Sequence, residues 1–202
     1  MDQKETKTIK VNLDTHFWNS KYEENKIGWD IGYANPIHIE YVLEHIDKSQ
    51  KILIPGAGSG YEIKTLWNCG YNQVYAIDLS PLAKKRFLKQ QPDFPEENYI
   101  VGDFFKMQQS FDLILEQTFF CAIDPALRSS YVEKIHEVLN PLGRLYGVLF
   151  VMPLIDGPPF GGSVTEYQHL FEEKFEIIQI KKNTKSIPTR LGKEIIIELL
   201  KK

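Results

Sequence analysis

Three glycines at alternate positions, Gly56, Gly58 and Gly60, follow the apolar run Ile52-Leu53-Ile54 within KILIPGAGSG. A helical pattern starts directly after them. Strand, glycine turn and helix in that order bring bare backbone up to a nucleotide-like ligand at the C-terminal edge of a sheet. Three acids follow later apolar runs: Asp78 ends QVYAID, Asp103 follows YIVG, and Glu116-Gln117 follow FDLIL. Each acid alone reads equally as a solvated strand end or a helix cap. Together, after successive parallel strands, they would flank one crevice. That set favours a ligand with a ribose, an amine-bearing base and a cationic tail.

S-adenosylmethionine has those parts. Its ribose hydroxyls suit Asp78, its adenine amine suits Asp103, and its amino group suits a backbone carbonyl near Gly56. Its sulfonium suits aromatic faces such as Trp18 and Trp29. A dinucleotide fingerprint, G-x-G-x-x-G, would need a glycine where Tyr61 stands, and would place a diphosphate at the helix start. A nicotinamide oxidoreductase is therefore the alternative, and a non-catalytic S-adenosylmethionine-binding protein a second one.

The elements that must hold these residues can be read in order. The stretch HFWNSKYEENKIGWDIGYANP is dense in aromatics, and a helix puts Trp18 and Tyr22 on one face. It is either a packing helix or an aromatic lid over a site, and residues 14–34 are taken as the lid segment. Asn35-Pro36 starts a helix as cap and first residue. The glycine-turn helix runs to about Cys69, with Gly70 as its stop. Ser80-Pro81 opens the next helix, to about Gln90. Strands are expected at 73–78, 99–101, 111–115 and 144–152. Asp124-Pro125 caps a helix carrying Tyr131, Ile135, Val138 and Leu139 inward, and Asn140-Pro141-Leu142-Gly143 ends it. A Gly/Pro loop, DGPPFGGS, precedes a short helix at about 165–171. The runs 175–180 and 194–200 read as an antiparallel pair closing the sheet. Alternating strands and helices followed by this pair mean an open α/β sheet with helices on both faces.

The chain has 202 residues, 43% of them hydrophobic, a net charge of −3 and a pI of about 6.0. That suits one domain over 1–202, expected as a monomer acting on a small molecule. No basic stripe points to nucleic acid or an anionic membrane. The start MDQKETKTIK is polar and lacks the apolar core of a signal peptide. The longest nearly apolar run, Leu145 to Ile155, is too short to span a bilayer. Cys69 and Cys121 form no framework, which suits a reducing, cytoplasmic setting. The histidines, His16, His38, His45, His136 and His169, have no ligand spacing, so no metal is expected. His16, beside the lid, is the one candidate base.

The segments IPGAGSGYE, AIDLS, GDFF, FDLILEQTFFCAIDPALR, LNPLGRLYGVLF, GPPF and IPTRLGKE together resemble the thiopurine S-methyltransferase-like family. They are most like its halide/thiol (thiocyanate) methyltransferase branch of plants and microbes. The glycine turn is common to many methyltransferases. The combination of a W-x10-WD pattern, FFCAIDP, GPPF and IPTR is far more specific. The resemblance spans about Phe17 to Lys193. It implies a Rossmann-like class I fold with seven strands, mostly parallel, the last one antiparallel, beneath an N-terminal helical lid.

It also implies roles. Trp18, Tyr22 and Trp29 cover the cofactor. Gly56, with Gly58 and Gly60, meets the methionine part. Asp78-Leu79 bind the ribose, Asp103-Phe104 the adenine, and Glu116-Gln117 complete the cofactor site. Phe119, Phe120, Arg128 and Phe160 are candidates for the acceptor pocket. Five positions depart from the branch: Tyr22 stands for Trp, Ala57 for Cys, Glu116-Gln117 for Asp-Tyr, and Phe160 for Tyr. The implied reaction is in-line methyl transfer from S-adenosylmethionine to a soft nucleophile such as a thiol, hydrosulfide, thiocyanate or halide, releasing S-adenosylhomocysteine. Such anions need no strong base, only a shaped and mostly apolar pocket. Arg128 would orient an anion there, or alternatively form an ion pair on a helix surface. Cys121, without a His or Asp partner, packs as a small buried residue.

Overall fold

A computed structural model describes residues 12–202. The polar start MDQKETKTIK lies outside the described residues. In chain order the elements are α1 (Thr15–Glu23), α2 (Pro36–His45), β1 (Ile52–Pro55), α3 (Tyr61–Asn68), β2 (Val74–Asp78) and α4 (Pro81–Gln90). Then come β3 (Tyr99–Val101), β4 (Phe111–Gln117), α5 (Arg128–Val138), β5 (Leu139–Phe150), α6 (Val164–Phe171), β6 (Phe175–Lys182) and β7 (Glu194–Lys201).

The helix starts follow capping chemistry. Asn35 accepts the Ile37 N–H and Ser80 the Ala83 N–H, each ahead of a proline at the first helical position. Gly70 turns the chain after α3 at φ +86°. Asp124 caps only a single 3-10 turn, Pro125–Leu127, and α5 begins at Arg128.

The seven strands form one sheet in the order β3-β2-β1-β4-β5-β7-β6. β1 through β5 pair in parallel, while β7 runs antiparallel to both β5 and β6. The last strand is thus inserted beside β5 rather than added at the rim, and β6 forms the edge. That placement follows from burial: Ile195, Ile196, Ile197 and Leu199 of β7 are all buried, while β6 is half polar. Two expected boundaries move. β4 continues through Glu116 and Gln117, and β5 begins at Leu139, with Asn140–Gly143 looped out where the register jumps between Phe111 and Leu113.

Strand residues alternate between two cores. Leu53 and Ile114 join Tyr131 and Ile135 of α5 and Tyr167 and Phe171 of α6 on one face. Ile52, Ile54, Leu113 and Leu115 join Val42 of α2, Ile63 and Leu66 of α3 and Phe87 of α4 on the other. Each large side chain so buried contributes about 1.5–3 kcal/mol. Strand order reverses between β1 and β4, which opens a crevice at their C-terminal ends.

Candidate active site

The glycine turn fills that crevice's floor, and its glycines are required by what lies on them. Gly56 has φ +61°, and a Cβ there would lie 2.7 Å from the ring of Phe119. Gly58 has φ +53°, and a Cβ would meet the Tyr22 hydroxyl at 2.8 Å. Gly60 behaves differently. It faces Phe87 of α4, 2.4 Å from a Cβ, and does not line the cleft. Its lack of a side chain lets α3 start close against α4.

The acids divide. Asp78 holds the turn directly, since its carboxylate accepts the Gly58 N–H at 2.9 Å and the Ser80 N–H at 2.8 Å. Burial raises its pKa, and the Ser80, Gly58 and Leu79 N–H groups only partly offset this. Asp103, after β3, accepts the Phe105 N–H at 3.0 Å and stays partly exposed. β2 and β3 bring the two acids to one edge through the Asp78–Val101 pairing. The Phe104 side chain is buried in the core.

Glu116 is not beside the crevice. It is completely buried inside β4, sharing the face of Ile114, because alternate strand residues point the same way. It accepts the N–H groups of Phe119 (2.8 Å) and Phe120 (2.9 Å) and the Tyr131 hydroxyl (2.6 Å). Burial raises its carboxyl to about 7, against the lowering by those three donors. Its part is to shape the turn after β4, where Thr118 has φ +60°. Gln117, one residue on, points to the opposite face and lines the cleft, held by the Asn35 side chain at 2.9 Å.

The aromatic segment is seated over the turn. Trp29 meets Trp18 and Tyr22 edge-on, at 5.5 and 5.8 Å between ring centroids. Tyr22 is buried, and Arg86 of α4 donates to its carbonyl at 2.6 Å. Ser80 at the start of α4 donates to Asn19 of α1 at 2.5 Å. The expected choice between packing helix and lid dissolves: α1 packs on α4, and doing so carries Trp29 to the rim.

The cleft between Trp29–Tyr33, the glycine turn and Gln117-Thr118 encloses about 470 Å³, counting its open mouth. Two further acids face it. Asp30 accepts the Ser59 hydroxyl and, at 3.3 Å, the Tyr61 hydroxyl. Glu62, in the first turn of α3, accepts the Asn35 N–H at 2.9 Å. Neither was singled out from sequence, although WD and GSGYE contain them. The signal was the acid beside an already chosen residue. Arg190 of the IPTR stretch was missed in the same way. It donates to the Trp29 carbonyl at 2.7 Å and lies 3.6 Å from Glu194.

Two of the four candidates for the acceptor side, Phe120 and Arg128, stand away from the cleft. Phe120 is core, packed against Tyr131 and Tyr167. Arg128 is buried rather than on the surface, and it is there that it makes the expected ion pair. Its guanidinium bonds Glu166 of α6 at 2.5 Å and the Gly161 carbonyl at 2.7 Å, and lies 4.8 Å over the Phe120 ring. It ties α5 to α6 and to the Gly/Pro loop. That loop is drawn towards the β4 turn by the Phe160 N–H, which donates to the Cys121 carbonyl at 2.7 Å. Phe160 is partly buried, as is Phe119 above Gly56. Cys121 is buried with its thiol pushed up, first by burial and then by Glu116. His16 is exposed on α1.

The fold is shared with the 1,6-didemethyltoxoflavin-N1-methyltransferase of Burkholderia thailandensis, solved with its ligand and S-adenosylhomocysteine. The TM-score is 0.76 at 18% identity, covering 93% of this chain and 86% of that one. In sequence, a probable thiol methyltransferase 2 of Arabidopsis thaliana is 30% identical over 184 residues, covering 88% of this chain and 81% of the relative. Thiocyanate methyltransferase 1 of Brassica oleracea is 30% identical over 186 residues, with the same coverage of 88% and 81%. The family described as Thiopurine S-methyltransferase (TPMT) matches residues 13–200. The chain therefore belongs to the thiopurine S-methyltransferase family.

Proposed function

We propose that the protein transfers a methyl group from S-adenosylmethionine to a small soft nucleophile: a thiol, hydrosulfide, thiocyanate or halide, with thiopurine-like thiols in the same class. One observation carries the choice of cofactor. Three carboxylates, Asp30, Glu62 and Asp78, gather on residues 58–62 at the start of α3. A dinucleotide would put its diphosphate there, against like charge. A cofactor with a sulfonium and an ammonium meets opposite charge instead.

On this reading Trp18, Tyr22 and Trp29 cover the cofactor and Gly56 and Gly58 lie under its amino-acid end. Asp78 and Leu79 take the ribose, and Asp103 with the Phe104 backbone takes the adenine. Gln117 borders the methyl-bearing region. When bound, the cofactor supplies an electrophilic methyl group. The chain's own residues orient it and exclude water. Phe119, above Gly56, and Phe160, whose N–H bonds the Cys121 carbonyl, give the acceptor side apolar walls that replace an anion's hydration shell. Arg128 is a positioning residue for the loop that carries Phe160. The relatives named for thiol and thiocyanate support the acceptor class. The protein is taken to act as a cytoplasmic monomer on small molecules. No helix among the described residues is long and apolar enough to cross a membrane.

An acceptor panel of iodide, thiocyanate, hydrosulfide and an aryl thiol, read by S-adenosylhomocysteine release, tests the reading. Turnover of at least one acceptor is expected. Binding of S-adenosylmethionine without turnover of any acceptor would leave a non-catalytic binding protein. A thermal shift with NAD(P) and none with S-adenosylmethionine would overturn the cofactor itself.

A further inference from the structure

Glu62 is an unusual acid for its surroundings. Its side chain is 10% exposed, yet it lines the cleft beside Gly56 and Gln117. Burial would raise its carboxyl, but the His38 ring and the Asn35 N–H outweigh this and hold it below the usual range. Among the described residues, no Lys or Arg stands within 4.0 Å of it. The nearest cationic candidate is His38 Nδ1, at 3.9 Å, too far for a hydrogen bond.

His38 sharpens the point. Its ring is fully buried behind Glu62, and neither nitrogen has a hydrogen-bond partner. Buried polar groups are normally paired, and a buried carboxylate normally has a cation or several donors. Here a charged acid and an unpartnered imidazole sit together at the floor of a ligand cleft, one hydrogen bond short of a closed network. The acid also belongs to the structure that sets the cleft's shape. The same Asn35 that donates its backbone N–H to Glu62 holds Gln117 with its side chain.

We propose that Glu62 binds the α-ammonium group of the cofactor's amino-acid end, as a charged partner added to the backbone carbonyls of the glycine turn. This rests on the S-adenosylmethionine reading above and assigns a residue to one group of that ligand. The Asn35 N–H, at 2.9 Å, is the contact that holds the carboxylate at the cleft. Neutral ligands of the same adenosyl shape that lack the ammonium gain nothing from Glu62.

The test compares two ligands by calorimetry: S-adenosylhomocysteine, and 5′-methylthioadenosine, which has no amino-acid end. Wild-type protein is expected to bind both, the first more tightly. Glu62→Gln is expected to weaken S-adenosylhomocysteine about ten- to hundredfold, the range for a charge-assisted hydrogen bond, and 5′-methylthioadenosine less than about threefold. Equal weakening of both ligands, or of neither, would overturn the assignment while leaving the cofactor reading intact. Failure of the wild type to bind either ligand would overturn the cofactor reading and this inference with it. If Glu62→Gln does not fold, Glu62→Asp keeps the charge but withdraws it by one methylene. The affinity ratio of the two ligands should then fall by a smaller factor, and an unchanged ratio would sink the idea.

Discussion

Arg190 Nη2 donates to the Trp29 carbonyl at 2.7 Å, joining the loop between β6 and β7 to the aromatic segment 161 residues earlier. The guanidinium is buried, stands 3.6 Å from Glu194 and lies over the Phe150 ring at 5.6 Å. The geometry of the rim is thus set by two distant pieces of chain. Arg190→Ala should cost about 1–3 kcal/mol of stability and raise the S-adenosylmethionine dissociation constant. Trp29→Ala should raise that constant without the same stability loss. Urea unfolding and calorimetry on both variants check this; a pure loss of stability in both would make the segment packing alone.

Asp78 is tied to Gly58 and Ser80 and is raised by burial. A ribose would bring it two further donors. Asp78→Ala should therefore weaken cofactor binding by about 1–3 kcal/mol. Asp78→Asn keeps an acceptor but sets an NH2 against an N–H, and should bind no better than halfway between. Unchanged affinity in both variants would remove the ribose role.

Glu116 predicts a pH dependence of stability. Its carboxyl is raised from 4.5 to about 7 by burial, despite the Tyr131, Phe120 and Phe119 donors. Across that window the folded protein holds a proton that the unfolded chain releases. Its contribution therefore falls as pH rises from about 4.5 to about 7, by an amount on the order of 3 kcal/mol. Glu116→Gln should flatten this slope, read from urea midpoints at several pH values. An identical slope in wild type and variant would show that another group carries it.

Arg128 touches α6 and the Gly161 carbonyl, not the cleft. Glu166, its ion-pair partner, is 42% exposed and can be rehydrated. Arg128→Met should then cost about 1–3 kcal/mol, less than stranding a buried charge. The acceptor KM should rise through the Phe160 loop while cofactor affinity holds. A loss of cofactor affinity instead would place the arginine's influence elsewhere.

The elements and the turn are legible in the residue pattern. Period-2 and period-3.6 patterns, proline and asparagine caps and the glycine spacing are local, so β1, α3, α4 and the positive-φ loop could be read directly. The family is legible there too, because FFCAIDP, GPPF and IPTR occur together. Which side of a strand each acid faces depends on where the strand ends and what packs on it. Extending β4 by two residues sent Glu116 into the core and Gln117 into the cleft, since neighbours on a strand point to opposite faces. Likewise Gly60 serves Phe87, and Arg128 serves Glu166 and Gly161, through partners remote in sequence. Asp30, Glu62 and Arg190 became visible as parts of the site for the same reason. Their meaning lies in burial and in distances across the chain, which no spacing along it encodes.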